Sequence, residues 1–98
     1  ALKMARQYQR LRGFPGRHKV ISRRLAYHGT TMGALSVNGV TSLRTPFEPL
    51  LPGARHVSNT NCYRCPMRTG AACCRRCLLD IEDAIEFEGP ESVAAVTR

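Results

Sequence analysis

Two stretches of the chain carry residue types that do chemistry. Cys62-x-x-Cys65 and Cys74-x-x-Cys77 are thiol pairs separated by eight residues, and Cys73 adds a fifth thiol. Four thiolates so paired can close a tetrahedral zinc site, with sulfurs about 2.3 Å from the metal. The spacer is shorter than the roughly 15–20 residues of the commonest four-cysteine pattern, and Pro66 is compatible with a knuckle without requiring one. An odd number of cysteines does not suit a disulfide framework, so reduced thiols or metal ligands are expected. One reading is therefore a small four-cysteine zinc-binding module; the plainer one is free thiols in a loop.

The second stretch runs Ser22-Arg23-Arg24-Leu25-Ala26-Tyr27-His28-Gly29-Thr30-Thr31-Met32-Gly33-Ala34-Leu35-Ser36. It follows a short β-branched run, Lys19-Val20-Ile21-Ser22, which suits a strand buried on both faces. In α/β proteins ligands gather just beyond the carboxyl ends of such strands. An aromatic ring, an imidazole and a glycine there stand before two hydroxyl residues at an expected helix start. That arrangement can offer a flat stacking surface and backbone N–H groups to a planar, phosphorylated ligand. From the residues alone, a Tyr-His pair beside a glycine is more often core and turn.

The elements that must position these residues alternate. Leu2, Ala5, Tyr8 and Leu11, with Met4, form an apolar stripe that predicts a helix ending at Gly13. Thr30 or Thr31 is placed to cap a short helix through Met32 to Val37, against which Gly33 counts. Glycines and prolines punctuate residues 38–77, an expected irregular, cysteine-containing loop with only a short extended piece near His56-Val57. A helix over Leu78–Glu88, with Leu78, Ile81, Ala84 and Ile85 on its apolar face, stops at Gly89-Pro90. Val93-Ala94-Ala95-Val96 reads as another buried strand. Helix, strand, helix and strand in turn predict an α/β sheet with crossover helices.

Charge is unevenly placed. Of the formal +8, residues 1–49 carry nine Lys/Arg against one acid, Glu48, and residues 50–98 carry six Arg against six acids. A basic half can meet nucleic acid, and joined to the four cysteines it extends the zinc reading to a nucleic-acid contact. No aromatic residues are interleaved as a stacking platform requires, which favours solvated faces or pairing with acids elsewhere. No apolar stretch approaches the roughly 20 residues of a membrane span, and no signal peptide opens the chain, so a cytoplasmic setting and no membrane partner are expected. The first helix has no capping residue before Leu2 and the chain stops at Thr97-Arg98, so an internal fragment is expected.

Tyr27-His28-Gly29 with Thr30-Thr31-Met32-Gly33-Ala34-Leu35-Ser36 resembles the YHG-x-T-x-GALS stretch of class III pyridoxal-phosphate-dependent aminotransferases. The likeness continues in family order along nearly the whole chain. Ala1 to Arg6, Gly16-Arg17 and Lys19 to Ser22 are similar to the helix and strand that lead into the motif. Pro46-Phe47-Glu48-Pro49 and Cys62-Tyr63-Arg64-Cys65-Pro66 resemble the long loop of the omega-amino-acid branch. Glu88 to Val96 resembles the helix end and strand that follow. The resemblance implies that residues 1–98 are part of the large cofactor-binding domain of a fold type I enzyme. That enzyme would transfer an amino group from an amine or amino acid to an oxo acid, work as a homodimer, and need no nucleic acid.

The same resemblance implies the roles of residues. Tyr27 is expected to stack on the pyridine ring of pyridoxal 5'-phosphate, with Gly29 allowing close backbone approach and His28 as a positioned neighbour. Within that family a cysteine-containing loop need not bind metal, and no cysteine is assigned as a metal ligand. The resemblance also implies no catalytic residue in this chain: neither Lys3 nor Lys19 matches the Schiff-base lysine, and Asp80 and Asp83 do not match the aspartate that pairs with the ring nitrogen. The small-residue phosphate turn is expected before Ala1, and the chain by itself is expected to be inactive. Thr97-Arg98 departs from the apolar residue and Glu-Pro that usually continue the last strand.

Overall fold

The computed structural model describes residues 1–65 and 76–98. Their architecture is α/β: α1 (Leu2–Leu11), β1 (Lys19–Arg23), α2 (Met32–Val37), α3 (Thr41–Arg44), β2 (Ala54–Val57), α4 (Arg76–Glu88) and β3 (Val93–Val96). The three strands form one parallel sheet in the order β2-β1-β3. β1 is the central strand, and Val20, Ile21, Ser22 and Arg23 are all buried. A β-branched run with no polar alternation fits that place, since a parallel strand must bury both faces.

Successive side chains of β1 serve opposite faces. Ile21, fully buried, meets Val57 of β2 and Val93 of β3, and Ile81, Ala84 and Ile85 of α4 cover this cluster. Val20 lies with Leu2 of α1 and with Gly33 and Val37 of α2 around a small apolar hollow. Leu35 and Val37 are buried on that side.

Several expectations are met, and some need correction. Leu78, expected on the apolar face of α4, is 55% exposed, and the buried residue at that end is Cys77 one position earlier. The stripe of α1 is covered only at Leu2 and Ala5; Met4, Tyr8 and Leu11 face solvent. Gln9, from the polar side, reaches the sheet instead, and its side-chain amide donates to the Ala94 carbonyl at 3.0 Å. Residues 38–65 are more ordered than an irregular loop. The extended piece near His56-Val57 is a full strand, paired with β1 from Val20↔Ala54 to Arg23↔Val57. The backbone ladder and the single buried side chain Val57 hold it there. Cys73 and Cys74 lie outside the described residues.

The amino ends of β1 and β2 are tied by charge. Lys19 Nζ pairs with Glu88 Oε2 at 2.8 Å and donates to the Glu88 carbonyl at 2.9 Å, and Arg55 binds the other carboxylate oxygen of Glu88. Hydrogen bonding from Lys19 first, then Arg55, holds the Glu88 carboxyl below its ordinary 4.5. A carboxylate lowered in the folded state stabilises it fully above the unfolded value, and that contribution fades as pH falls through 4.5 toward the folded value. Glu88→Gln is expected to remove this acid-side slope, measured as the dependence of the urea midpoint on pH between about 5 and 3.

Candidate active site

β1 delivers the chain to the carboxyl edge of the sheet at Arg23. A sharp turn follows in which Leu25 adopts a positive φ of 65°, a conformation that costs a branched residue about 1 kcal/mol or more. Such a cost is borne only where neighbours fix the backbone. Here Gly39 does so from across the turn: its carbonyl accepts from Leu25 N–H at 3.0 Å, and its N–H donates to the Ala26 carbonyl at 2.8 Å. Tyr27, His28 and Gly29 come next, and the chain enters α2 through Thr31.

Tyr27 is 63% exposed, so its ring is presented rather than packed. His28 is partly buried, and its Nε2 is buried without a hydrogen-bond partner among the described residues. His28 lines a cavity of about 560 Å³ together with Lys3, Thr31 and Thr97; Tyr27 stands outside it. Gly29 has φ 113°, and a Cβ there would press against Ala34 Cβ at 3.2 Å. A side chain there would be strained and would crowd α2, so the glycine lets the motif's backbone lie close to that helix. The hydroxyl cap expected from Thr30 or Thr31 is not formed: Thr31 is the N-cap by backbone alone, its carbonyl accepting from Leu35 N–H at 2.7 Å.

The residues that hold this loop were not apparent in the sequence. Asn38 is fully buried at the end of α2. Its Nδ2 donates to the Gly29 carbonyl at 3.1 Å, and its Oδ1 accepts from Val40 N–H at 2.9 Å. Its own carbonyl faces His56 Nε2 of β2 at 3.1 Å, and since a carbonyl only accepts, the imidazole donates. Burial, and then the neighbouring Arg44 and Arg24, lower the His56 pKa from its ordinary 6.5. Ser36 Oγ, which donates to Met32 O at 2.7 Å, accepts from Leu51 N–H at 3.0 Å and so ties α2 to the segment before β2. Asn38-Gly39 reads in sequence only as a turn dipeptide, the one available signal.

Other candidates have structural employment. Lys19 is engaged by Glu88. Asp80 Oδ2 accepts from Ser58 N–H at 2.5 Å, at the end of β2. Buried Arg23 reaches past β2, its Nη1 donating to the carbonyls of Ser58 at 3.0 Å and Cys77 at 3.3 Å. Cys77 is a buried free thiol, Cys73 and Cys74 lie outside the described residues, and among the described residues no group of three His, Cys, Asp or Glu is placed to hold a metal. Among them, too, no helix is long and apolar enough to cross a membrane.

Comparison with known proteins agrees with this geometry. The family model for aminotransferase class III matches residues 1–97, running unbroken through the cysteine stretch, so no separate zinc module is called for. A probable aminotransferase of Mycobacterium tuberculosis is 55% identical over 97 residues, covering 98% of this chain and 21% of that protein. The adenosylmethionine-8-amino-7-oxononanoate aminotransferase of Geobacter sulfurreducens is 40% identical over 97 residues, covering 97% and 21%. Among solved structures, an amine transaminase from an uncultivated Pseudomonas species in its PLP-bound form superposes with a TM-score of 0.88 at 36% identity, covering 97% of this chain and 22% of that one. A thermostable (S)-enantioselective omega-transaminase from Thermomicrobium roseum gives 0.86 at 41% identity, covering 97% and 21%. The chain thus spans about a fifth of the length of the proteins it matches. With its motif, its parallel sheet and a match along nearly its whole length, the chain belongs to the class III aminotransferase family.

Proposed function

We propose that the protein carrying this chain is a pyridoxal 5'-phosphate-dependent transaminase that moves an amino group from an amine or amino acid to an oxo acid. The observation that carries the reading is the position of Tyr27-His28-Gly29 at the carboxyl end of the central parallel strand, in a chain matched by the family over residues 1–97. The residues present fit the cofactor. A solvent-facing tyrosine ring can lie flat on a pyridine ring, and burying it there recovers apolar area now open to water. The orphaned His28 Nε2 is a polar atom already removed from water and without a partner, as a group that meets a ligand would be.

When bound, the cofactor supplies the electron sink that carries the amino group between donor and acceptor. Tyr27 fixes the plane of the ring with few rotors to freeze. Gly29 lets the backbone approach, and His28 holds or accepts a proton at Nε2 beside the ligand. Neither Lys3 nor Lys19 is assigned the covalent role, which falls to a lysine beyond these 98 residues. The whole protein is proposed to be a cytoplasmic homodimer, with residues 1–98 part of the large domain and inactive alone.

The test is to incubate the whole protein with pyridoxal phosphate, a primary amine and a 2-oxo acid. The reading expects a ketone or aldehyde and an amino acid in equal amounts. A protein that takes up the cofactor yet exchanges no amino group across a panel of donors and acceptors overturns it.

A further inference from the structure

A second cavity of about 560 Å³ opens beside the motif at the carboxyl ends of β1 and β2, and its lining is cationic. Arg24 comes from the turn after β1, Arg44 from α3 and Arg64 from the turn at Cys62–Arg64, while His56 of β2, Asn59 and Asn61 complete its polar wall. No carboxylate stands among the described residues that line it. Three guanidinium groups around one concave space repel one another unless an anion joins them, because none can discharge by losing a proton.

Arg44 shows the deficit most directly. Its Nε is buried and has no hydrogen-bond partner among the described residues. Its ion pair with Glu48, one turn along, is long at 3.7 Å, and Glu48 is half exposed. An exposed pair of that length is worth little and leaves most of the guanidinium's donors unused. The fields of Arg44 and Arg24 both reach His56, where they add to burial in disfavouring the imidazolium. Of the nine Lys/Arg in residues 1–49, Arg24 and Arg44 gather at this cavity.

We propose that this cavity binds the oxyanion group of a small molecule, a carboxylate or a phosphate ester, between Arg24, Arg44 and Arg64. Guanidinium forks match the paired oxygens of either group, and the asparagine amides add neutral donors. The site is separate from the surface of Tyr27 and does not depend on the transamination reading. The size of the cavity suits a metabolite rather than a macromolecular surface.

The experiment uses the whole protein with its cofactor bound and histidine labelled with carbon-13 at Cε1, the His56 resonance being assigned by its loss in His56→Gln. Titrations are run with inorganic phosphate, with succinate, and with chloride at equal ionic strength. The expected result is a saturable His56 shift with phosphate, succinate or both, beyond that of chloride. It should be accompanied by a rise in the pH at which His56 titrates, because a bound anion offsets the field of the arginines. A response confined to phosphate assigns the site to phosphate esters, and one confined to succinate assigns it to carboxylates. Arg64→Met and Arg24→Met, both at exposed positions, are expected to weaken binding about tenfold without moving the thermal midpoint, the equivalent of one charge-assisted hydrogen bond. No response beyond chloride, or unchanged binding in both variants, overturns the proposal.

Discussion

Among the described glycines, Gly39→Ala is expected to be the most disruptive alanine substitution and Gly33→Ala one of the most benign. A Cβ on Gly39 would overlap the Arg23 carbonyl oxygen and sit 2.7 Å from the Leu25 nitrogen and 2.9 Å from the Ala26 nitrogen. All three are backbone atoms, so no rotamer change relieves the clash. Of these atoms, Leu25 N makes one of the two hydrogen bonds that strap the turn after β1 to Gly39, and Ala26 N donates to the Arg23 carbonyl within the turn itself. Relief requires Leu25 and Ala26 to move away, which breaks both bonds and displaces the peptide leading into Tyr27. Overpacking of this kind costs about 3 kcal/mol or more when backbone must shift. At Gly33, inside α2, the nearest foreign atom to an added Cβ is Leu2 Cδ1 at 3.7 Å, an ordinary contact. There alanine removes backbone freedom from the unfolded chain and should stabilise by about 0.5–1 kcal/mol. Urea unfolding of the two variants in the whole protein is expected to move the midpoint in opposite directions. Equal effects would show that the turn is not packed as described.

The second large effect is expected at Asn38. Asn38→Ala takes the side-chain partner from the Gly29 carbonyl and the Val40 N–H, both partly buried beside the fully buried Asn38. A fully buried group so orphaned costs about 1–3 kcal/mol, so two partly buried ones are expected to cost about 2 kcal/mol or more together. Asn38→Asp is a sharper probe. The carboxylate can still accept from Val40 N–H, but it turns an oxygen toward the Gly29 carbonyl, an acceptor facing an acceptor. It should restore little of the loss at neutral pH and more as the carboxyl is protonated, because only the acid form can donate. If Asn38→Asp is as stable as the parent at pH 7, the amide is not the clamp on the motif.

The parts of the fold legible in the sequence are those in which local pattern and burial agree. Val20-Ile21 and Val93-Ala94 are short apolar runs between turn signals, and both are strands at or within one residue of the expected limits. The stop at Gly89-Pro90 set the end of α4 correctly. β2 was only half visible because Ala54-Arg55-His56-Val57 carries one buried apolar side chain and is held by backbone bonds, which leave no compositional trace. The apolar stripe of α1 predicted its helix correctly and left only its packing open. Periodicity locates a face but not the surface it meets, and Met4, Tyr8 and Leu11 face solvent.

The candidate site divides in the same way. Tyr27, His28 and Gly29 became candidates because a resemblance pointed to them, and their placement after a buried strand followed from the residues. Asn38, Gly39 and His56 were missed because their roles arise only when α2, β1 and β2 converge. An Asn-Gly pair looks the same in sequence whether it decorates a surface turn or clamps a buried one. Leu25 shows the limit from the other side, since nothing in its side chain announces a positive φ.

If this chain supplies the surface on which the cofactor ring rests, the cofactor affinity of the whole protein depends on the ring of Tyr27. Equilibrium dissociation constants for pyridoxal phosphate should be measured for the parent, Tyr27→Phe and Tyr27→Ala under conditions that allow exchange. Stacking needs the ring and not the hydroxyl, so Tyr27→Phe should bind within about threefold of the parent, while Tyr27→Ala should bind about tenfold more weakly. All three should keep the same thermal midpoint without cofactor, because the side chain is mostly exposed. Equal affinity for the parent and Tyr27→Ala would contradict the account.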